Sequence, residues 1–378
     1  MPMEPEREQK NRIARFVIRA VLVFIAVFLF ANLLLWNKAV SPAFLPGAGH
    51  GDLSAKACIK LPEGETLPLS YNGHVMEMYE YMKLTNGGGD GRVDIVTIGS
   101  GFSRGGGGSF YQDYLQEAYG YRVLNITTEY DASPLEILNK LEGSYFMWVM
   151  MPRAVILECS EEELAAFAGD LTVYDEYCKE EIEQKVPIHI ATDSFWNEQK
   201  AIEFWPQDML SLNGAYIKSL LGQKKSAALM GGGVAKATLN RPLFSVKGAE
   251  DVLYYEKKPA VSVTEEDLHS VNDNLNAAVA HYVPLYDLKL ILLPSVDKYE
   301  VYRPYIKDGA SDRQKGETVD AFERLRGLPH TYTLIDTERI LQEELAKGNM
   351  DVYWPDSAYW SPEGYRPVMD EIASVIED

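Results

Sequence analysis

The sequence predicts an α/β protein with a doubly wound parallel sheet, preceded by one N-terminal transmembrane helix. Three observations predict it. An apolar run of membrane length follows a basic N-terminus. Short apolar strands then alternate with helical stretches over the rest of the 378 residues. The first of these strands runs straight into a glycine-rich turn, GSGFSRGGGG, and then a helix. Strands and helices alternating at this spacing form a parallel sheet covered by its crossover helices.

The apolar run occupies residues 16–36 and reads FVIRAVLVFIAVFLFANLLLW. About 20 apolar residues in a helix cross the hydrocarbon layer. Its one charge, Arg19, lies within a turn of one end and can snorkel. Trp36 marks the other end, where an indole suits the headgroup region. Arg7, Lys10, Arg12 and Arg15 precede the run, which assigns residues 1–15 to a cytoplasmic tail and the rest to the far side of the cell membrane. A cleaved signal peptide is the rival, but it has a shorter apolar region and a small-x-small site that LLLWNKAVSPAF does not offer.

Residues 37–91 are rich in Pro and Gly and end in NGGGDG. They read as a stalk or approach segment with a short helix near 71–84. From 92 to 378 the chain reads as the exterior domain. Its strands are expected at 93–98 (VDIVTI), 121–126 (YRVLNI), 154–158 (AVILE), 288–294 (LKLILLP) and 331–335 (TYTLI). Helices are expected at 109–120, 133–143, 264–286 and 364–377, and one opening at Ser160. Glu161, Glu162 and Glu163 complement the dipole at the start of the last. Thr264 and Asp267 resemble a capping box. Residues 170–262 read as an insertion of helices and loops.

The net charge of −20 argues against nucleic acid or anionic lipid as partners of the outer surface. Cys58, Cys159 and Cys178 cannot all pair, and they form no CxxC or His/Cys cluster. One disulfide is compatible with them; a zinc site is not expected. No cofactor or metal motif stands out. The glycines at 105–108 precede a helix but lack the Lys-Ser/Thr of a phosphate loop.

Three segments carry a family likeness: the strand leading into Gly99-Ser100-Gly101-Phe102-Ser103, LLPSVDKYEVYRPYI at 292–306, and VYWPDSAYWSPEGY at 352–365. Together they resemble the SGNH (GDSL-type) hydrolase superfamily. More narrowly, they resemble the branch with a D-x-H-W motif that includes alginate O-acetyltransferase-like proteins. The nucleophile segment comes first and the Asp/His segment last, which is the general SGNH order and the reverse of alginate acetylases. A membrane-anchored protein with this order also resembles the partner protein of the lipoteichoic-acid D-alanylation system.

The resemblance implies a serine after the first strand, a histidine near the C-terminus that takes its proton, and an aspartate that orients the ring. This chain departs from that pattern. The nucleophile position falls on Gly101 and the histidine position on Tyr359. The aspartate position falls on Ser357, or on Asp356 at a looser spacing. The oxyanion asparagine expected after the third strand is missing from Glu158-Cys159-Ser160. Glycine has no nucleophile, and a tyrosine with a pKa near 10 is a poor base. Loss of either partner of a comparable triad costs about 10⁶ in rate.

The resemblance therefore implies a membrane-tethered SGNH-like protein of the cell envelope that is catalytically degenerate. It would be an accessory or glycan-binding component of a polysaccharide O-acylation system, partnered by the bilayer through 16–36, by a membrane-bound O-acyltransferase and by cell-surface glycan. Tyr353, Trp354 and Trp360 are its candidate ligand-binding aromatics, with core packing the competing reading. The alternative is an active O-acetyltransferase or esterase with Ser100 or Ser103 as a shifted nucleophile. His189, His281 or His330 would then supply the base.

Overall fold

The computed structural model describes residues 4–40, 51–57, 75–103, 110–128, 133–143, 146–169, 206–258, 263–307 and 321–377. Its main sheet has six parallel strands: β1 (Met76–Glu77), β2 (Ile95–Gly99), β3 (Val123–Thr127), β4 (Ala154–Cys159), β8 (Lys289–Pro294) and β9 (Thr333–Leu334). Their spatial order is β1-β3-β2-β4-β8-β9. All five strands expected from the sequence are present, each within two residues of its expected start.

Helices follow the strands. They are α3 (Met78–Asn86), α4 (Tyr111–Tyr119), α5 (Pro134–Gly143), α6 (Phe146–Met150) and α7 (Glu161–Leu164), then, after the insertion, α9 (Glu265–Tyr286), α10 (Lys298–Tyr302), α11 (Ala321–Arg326), α12 (Thr337–Lys347) and α13 (Pro362–Glu377). Thr264 and Asp267 form the expected capping box at the start of α9, and Ser160 with Glu163 forms one at α7. Gly120 ends α4 at φ 74°, a left-handed conformation that suits glycine.

The central strands bury both faces. Val96, Ile98, Leu124, Ile126, Val155, Leu157, Leu290 and Leu292 join one core with α3, α5, α6 and α9. Their neighbours Ile95, Val123, Ile156, Ile291 and Leu293 join a second core with α4, α12 and α13. Strands buried on both faces read as continuous apolar runs, which is why they stood out in the sequence.

Two expectations change. The segment 37–91 is more than a stalk. It contains α2 (Asp52–Ala57), α3 and β1, and β1 pairs with β3 as an edge strand of the sheet. The insertion also holds a second sheet beside its helix α8 (Pro206–Gln223). Strands β5 (Ala228–Leu229), β6 (Val234–Thr238) and β7 (Val252–Glu256) pair antiparallel. Ala235, Ala237, Leu253 and Tyr255 enter the second core, while Val234 and Tyr254 pack with Leu53 and Ala57 of α2. These strands are two to five residues long and lie between polar and glycine-rich turns, so no long apolar run marked them.

Among the described residues one helix is long and apolar enough to cross a membrane, at Arg12–Lys38, and its most apolar stretch is uncovered by protein. It comprises α1 (Glu4–Leu35) and a π-helical turn, Trp36–Val40. Trp36 is buried against α8 instead of projecting from the end of the run. Cys159 is a buried free thiol. Cys58 and Cys178 lie outside the described residues.

Candidate functional site

The register of the sheet builds the site. Ile98 on β2 is level with Leu157 on β4, so Gly99 and the turn after it meet Glu158 at the carboxyl edge. That edge is where open parallel sheets hold their ligands. The turn runs from Ser100 to Ser103, closed by the Ser103 amide donating to the Ser100 carbonyl at 3.2 Å. The segment 351–361 lies across it. A Cβ built on Gly101 would stand 3.3 Å from both Cε1 and Oη of Tyr359. Gly101 and Tyr359, which the resemblance would put at the nucleophile and histidine positions, thus face each other. The Phe102 ring lies 5.0 Å from that of Tyr359 and 4.5 Å from that of Trp360.

Beneath the turn lies a polar cluster that sequence reasoning missed. Glu158 is fully buried, and its carboxylate accepts the Ser100 amide at 2.9 Å. Burial, with the Glu163 charge, pushes its pKa up to about 7, against hydrogen bonds from Ser295, Ser103 and the Ser100 amide. Ser103 is fully buried too, with its Oγ 2.7 Å from Tyr111 Oη. Asn125 on β3 donates to the Ser103 carbonyl at 2.7 Å and to Glu77 at 3.0 Å, and accepts from Thr97 and Gln112. Burial likewise raises Glu77 to about 7, with the Asn125 hydrogen bond opposing. The one signal available was polar residues closing apolar strands: Glu158 in AVILEC and Asn125 in VLNIT.

No family model matches this chain, and no curated protein or solved structure is significantly similar to it. The chemistry of the site therefore rests on its own geometry.

Asp356 and Ser357 are not aimed at the Tyr359 ring. The Asp356 carboxylate accepts from the Gly51 amide at 2.6 Å and Ser54 Oγ at 3.0 Å. Its carbonyl accepts the Leu53 and Ser54 amides. Ser357 Oγ donates to Asp52 at 2.7 Å and accepts the Tyr359 amide at 3.2 Å. Both hold α2 against the loop. Lys298 closes the same loop from inside. It is buried, and its Nζ donates to the carbonyls of Trp354, Pro355 and Ser357 at 2.7, 2.9 and 3.1 Å. Burial pulls its pKa down to about 7, with Asp356, Asp52 and Asp351 opposing.

Two of the three candidate aromatics are core residues. Tyr353 is fully buried; its hydroxyl donates to the Val296 carbonyl at 2.6 Å and accepts from the Trp360 indole at 2.9 Å. Trp360 is buried as well. Their rings brace the loop and offer no face to a ligand. Trp354 is half-buried, as are Phe102 and Tyr359. Among the described residues of the turn and the loop across it, these three aromatics keep surface to offer.

The candidate bases are elsewhere. His281 pairs with Glu142 at 3.1 Å, and His330 contacts the Leu328 carbonyl through Nδ1 at 2.8 Å. His189 and the glycines at 105–108 lie outside the described residues. Ser100 Oγ meets no histidine or carboxylate among the described residues, and no group of three or more potential metal ligands occurs among them.

Proposed function

We propose that this chain is a membrane-tethered, extracytoplasmic SGNH-like protein that has lost hydrolytic chemistry and serves as an accessory or glycan-binding component of a polysaccharide O-acylation system. The observation that carries the loss of chemistry is the Gly101–Tyr359 contact. The place of the nucleophile is filled by a phenol ring. The nearby Ser100 amide, the kind of donor that would hold an oxyanion, is already bonded to Glu158. Counted from β2, the strand order is 2-1-3-4-5, the order of one class of doubly wound sheets, which supports the scaffold reading. The apolar helix at Arg12–Lys38 supports the tether. The half-buried rings of Phe102, Trp354 and Tyr359 would stack on a sugar face.

The alternative, an active acyltransferase, rests on Ser100, which is half-buried at the turn. Ser103 is a weak candidate because a fully buried hydroxyl meets no substrate. A fluorophosphonate probe decides between the readings. The folded full chain should show no adduct by intact mass. An adduct on Ser100 or Ser103 would overturn the inactive reading. Deleting the protein should alter glycan acylation, and failure of that change together with failure to co-purify with a membrane acyltransferase would remove the accessory role.

A further inference from the structure

Helix α8 belongs to the insertion, and nothing in the candidate site uses it. One face fastens it to the domain. A Cβ on Gly231 would strike Ala215, Gly222 abuts Met230, and Ser219 Oγ accepts the Gly231 amide at 3.0 Å. A second face fastens it to the end of the apolar helix. Asn213 Nδ2 donates to the Asn32 carbonyl at 2.9 Å and to Asn32 Oδ1 at 3.1 Å. Met209, Leu212, Ala215 and Tyr216 pack on Trp36 and Val40.

The remaining face is apolar and, among the described residues, uncovered. Leu210, Ile217, Leu220 and Leu221 are 37, 49, 42 and 66% exposed. Leu210, Gly214, Ile217 and Leu221 follow an i, i+4, i+7, i+11 spacing, which stacks them in one stripe along a helix. Lys218 is exposed beside the stripe, and Lys224 and Lys225 are exposed just past its end, in a chain of net charge −20.

The position of the stripe says what covers it. Asn32 lies one helical turn inside Trp36, so the Asn213 contact sets α8 at the depth where α1 leaves the hydrocarbon layer. Among the described residues the stripe and the apolar surface of α1 are both uncovered, and the Asn32–Asn213 contact joins the two helices. An apolar stripe flanked by lysines at that depth suits acyl chains below and lipid phosphates above.

We propose that α8 is an interfacial helix, with Leu210, Ile217 and Leu221 seated among phospholipid acyl chains beside the exit of α1. This rests on α1 spanning the membrane. The domain is then held by a two-helix foot: α1 crosses, α8 lies at the surface, and the Asn32–Asn213 contact joins them. The foot fixes the height and tilt of the domain over the bilayer.

The test is photocrosslinking of the full chain in vesicles of phosphatidylglycerol and phosphatidylethanolamine. A benzophenone-bearing residue replaces Phe24, Ile217 or Glu343 in turn. Phe24 is exposed on α1, and Glu343 is exposed on α12. The expected result is phospholipid adducts from positions 24 and 217 and none from 343. Adducts from 24 without any from 217 overturn the interfacial helix while leaving the span intact. A protein–protein adduct at 217 in place of lipid makes the stripe a subunit contact and overturns it as well. Absence of lipid adducts at 24 removes the span and this inference with it.

Discussion

Gly101 and Tyr359 occupy facing positions 3.3 Å apart, measured from a Cβ built on the glycine to the phenol. They come from segments far apart in the chain, the turn after β2 and the loop before α13. Each has what the other lacks room for. A side chain at 101 needs the space that the Tyr359 ring fills.

That contact predicts a coupled pair of substitutions. Gly101→Ser adds a side chain against Tyr359, an overpacking cost of about 1–3 kcal/mol, while loss of glycine flexibility in the unfolded chain returns about 0.4–1 kcal/mol. The net expectation is destabilisation by about 1 kcal/mol. In a Tyr359→Ala background the same change should become neutral or stabilising. Urea unfolding of the four proteins checks this, and additive effects would mean the residues do not touch in solution.

The buried carboxylates predict a pH dependence. Glu158 titrates near 7 when folded, against an ordinary value of 4.5. The folded protein therefore holds an extra proton between those values. Stability is greatest below this window and falls as pH rises through it, by about 3 kcal/mol for a shift of this size. Glu77, also raised to about 7, acts in the same direction. Lys298 has its effect only above about 7. Glu158→Gln should flatten part of the fall, measured as urea midpoints at about pH 5 and pH 7. An unchanged slope would show that Glu158 is ionised in the folded state.

Lys298→Met should cost about 3 kcal/mol, because three buried or half-buried loop carbonyls lose one shared donor. Near-UV dichroism should change with it, since the loop carries Tyr353, Trp354, Tyr359 and Trp360. Loss of stability below about 0.5 kcal/mol would show that water replaces the ammonium without penalty.

Asp356→Asn tests what the aspartate does. Its carboxylate holds Gly51 and Ser54, so the expected effect is faster hydrogen exchange in residues 51–57, with no effect confined to Tyr359. Unchanged exchange at 51–57 would separate α2 from the loop.

The strands at 95–99, 123–127, 154–159 and 289–294 were legible in the sequence because burial on both faces demands unbroken apolar runs. The capping box at Thr264 and the apolar length of residues 16–36 were legible for the same kind of reason. Each is a local pattern whose physics lies within a few turns of chain. Tertiary structure alone decided the rest. It set Gly101 against Tyr359, aimed Asp356 at α2, and buried Tyr353 and Trp360. It carried β1 into the sheet and left one stripe of α8 uncovered beside α1. These facts depend on contacts between residues far apart in the chain, and spacing along a sequence holds no record of which distant surface will cover a side chain.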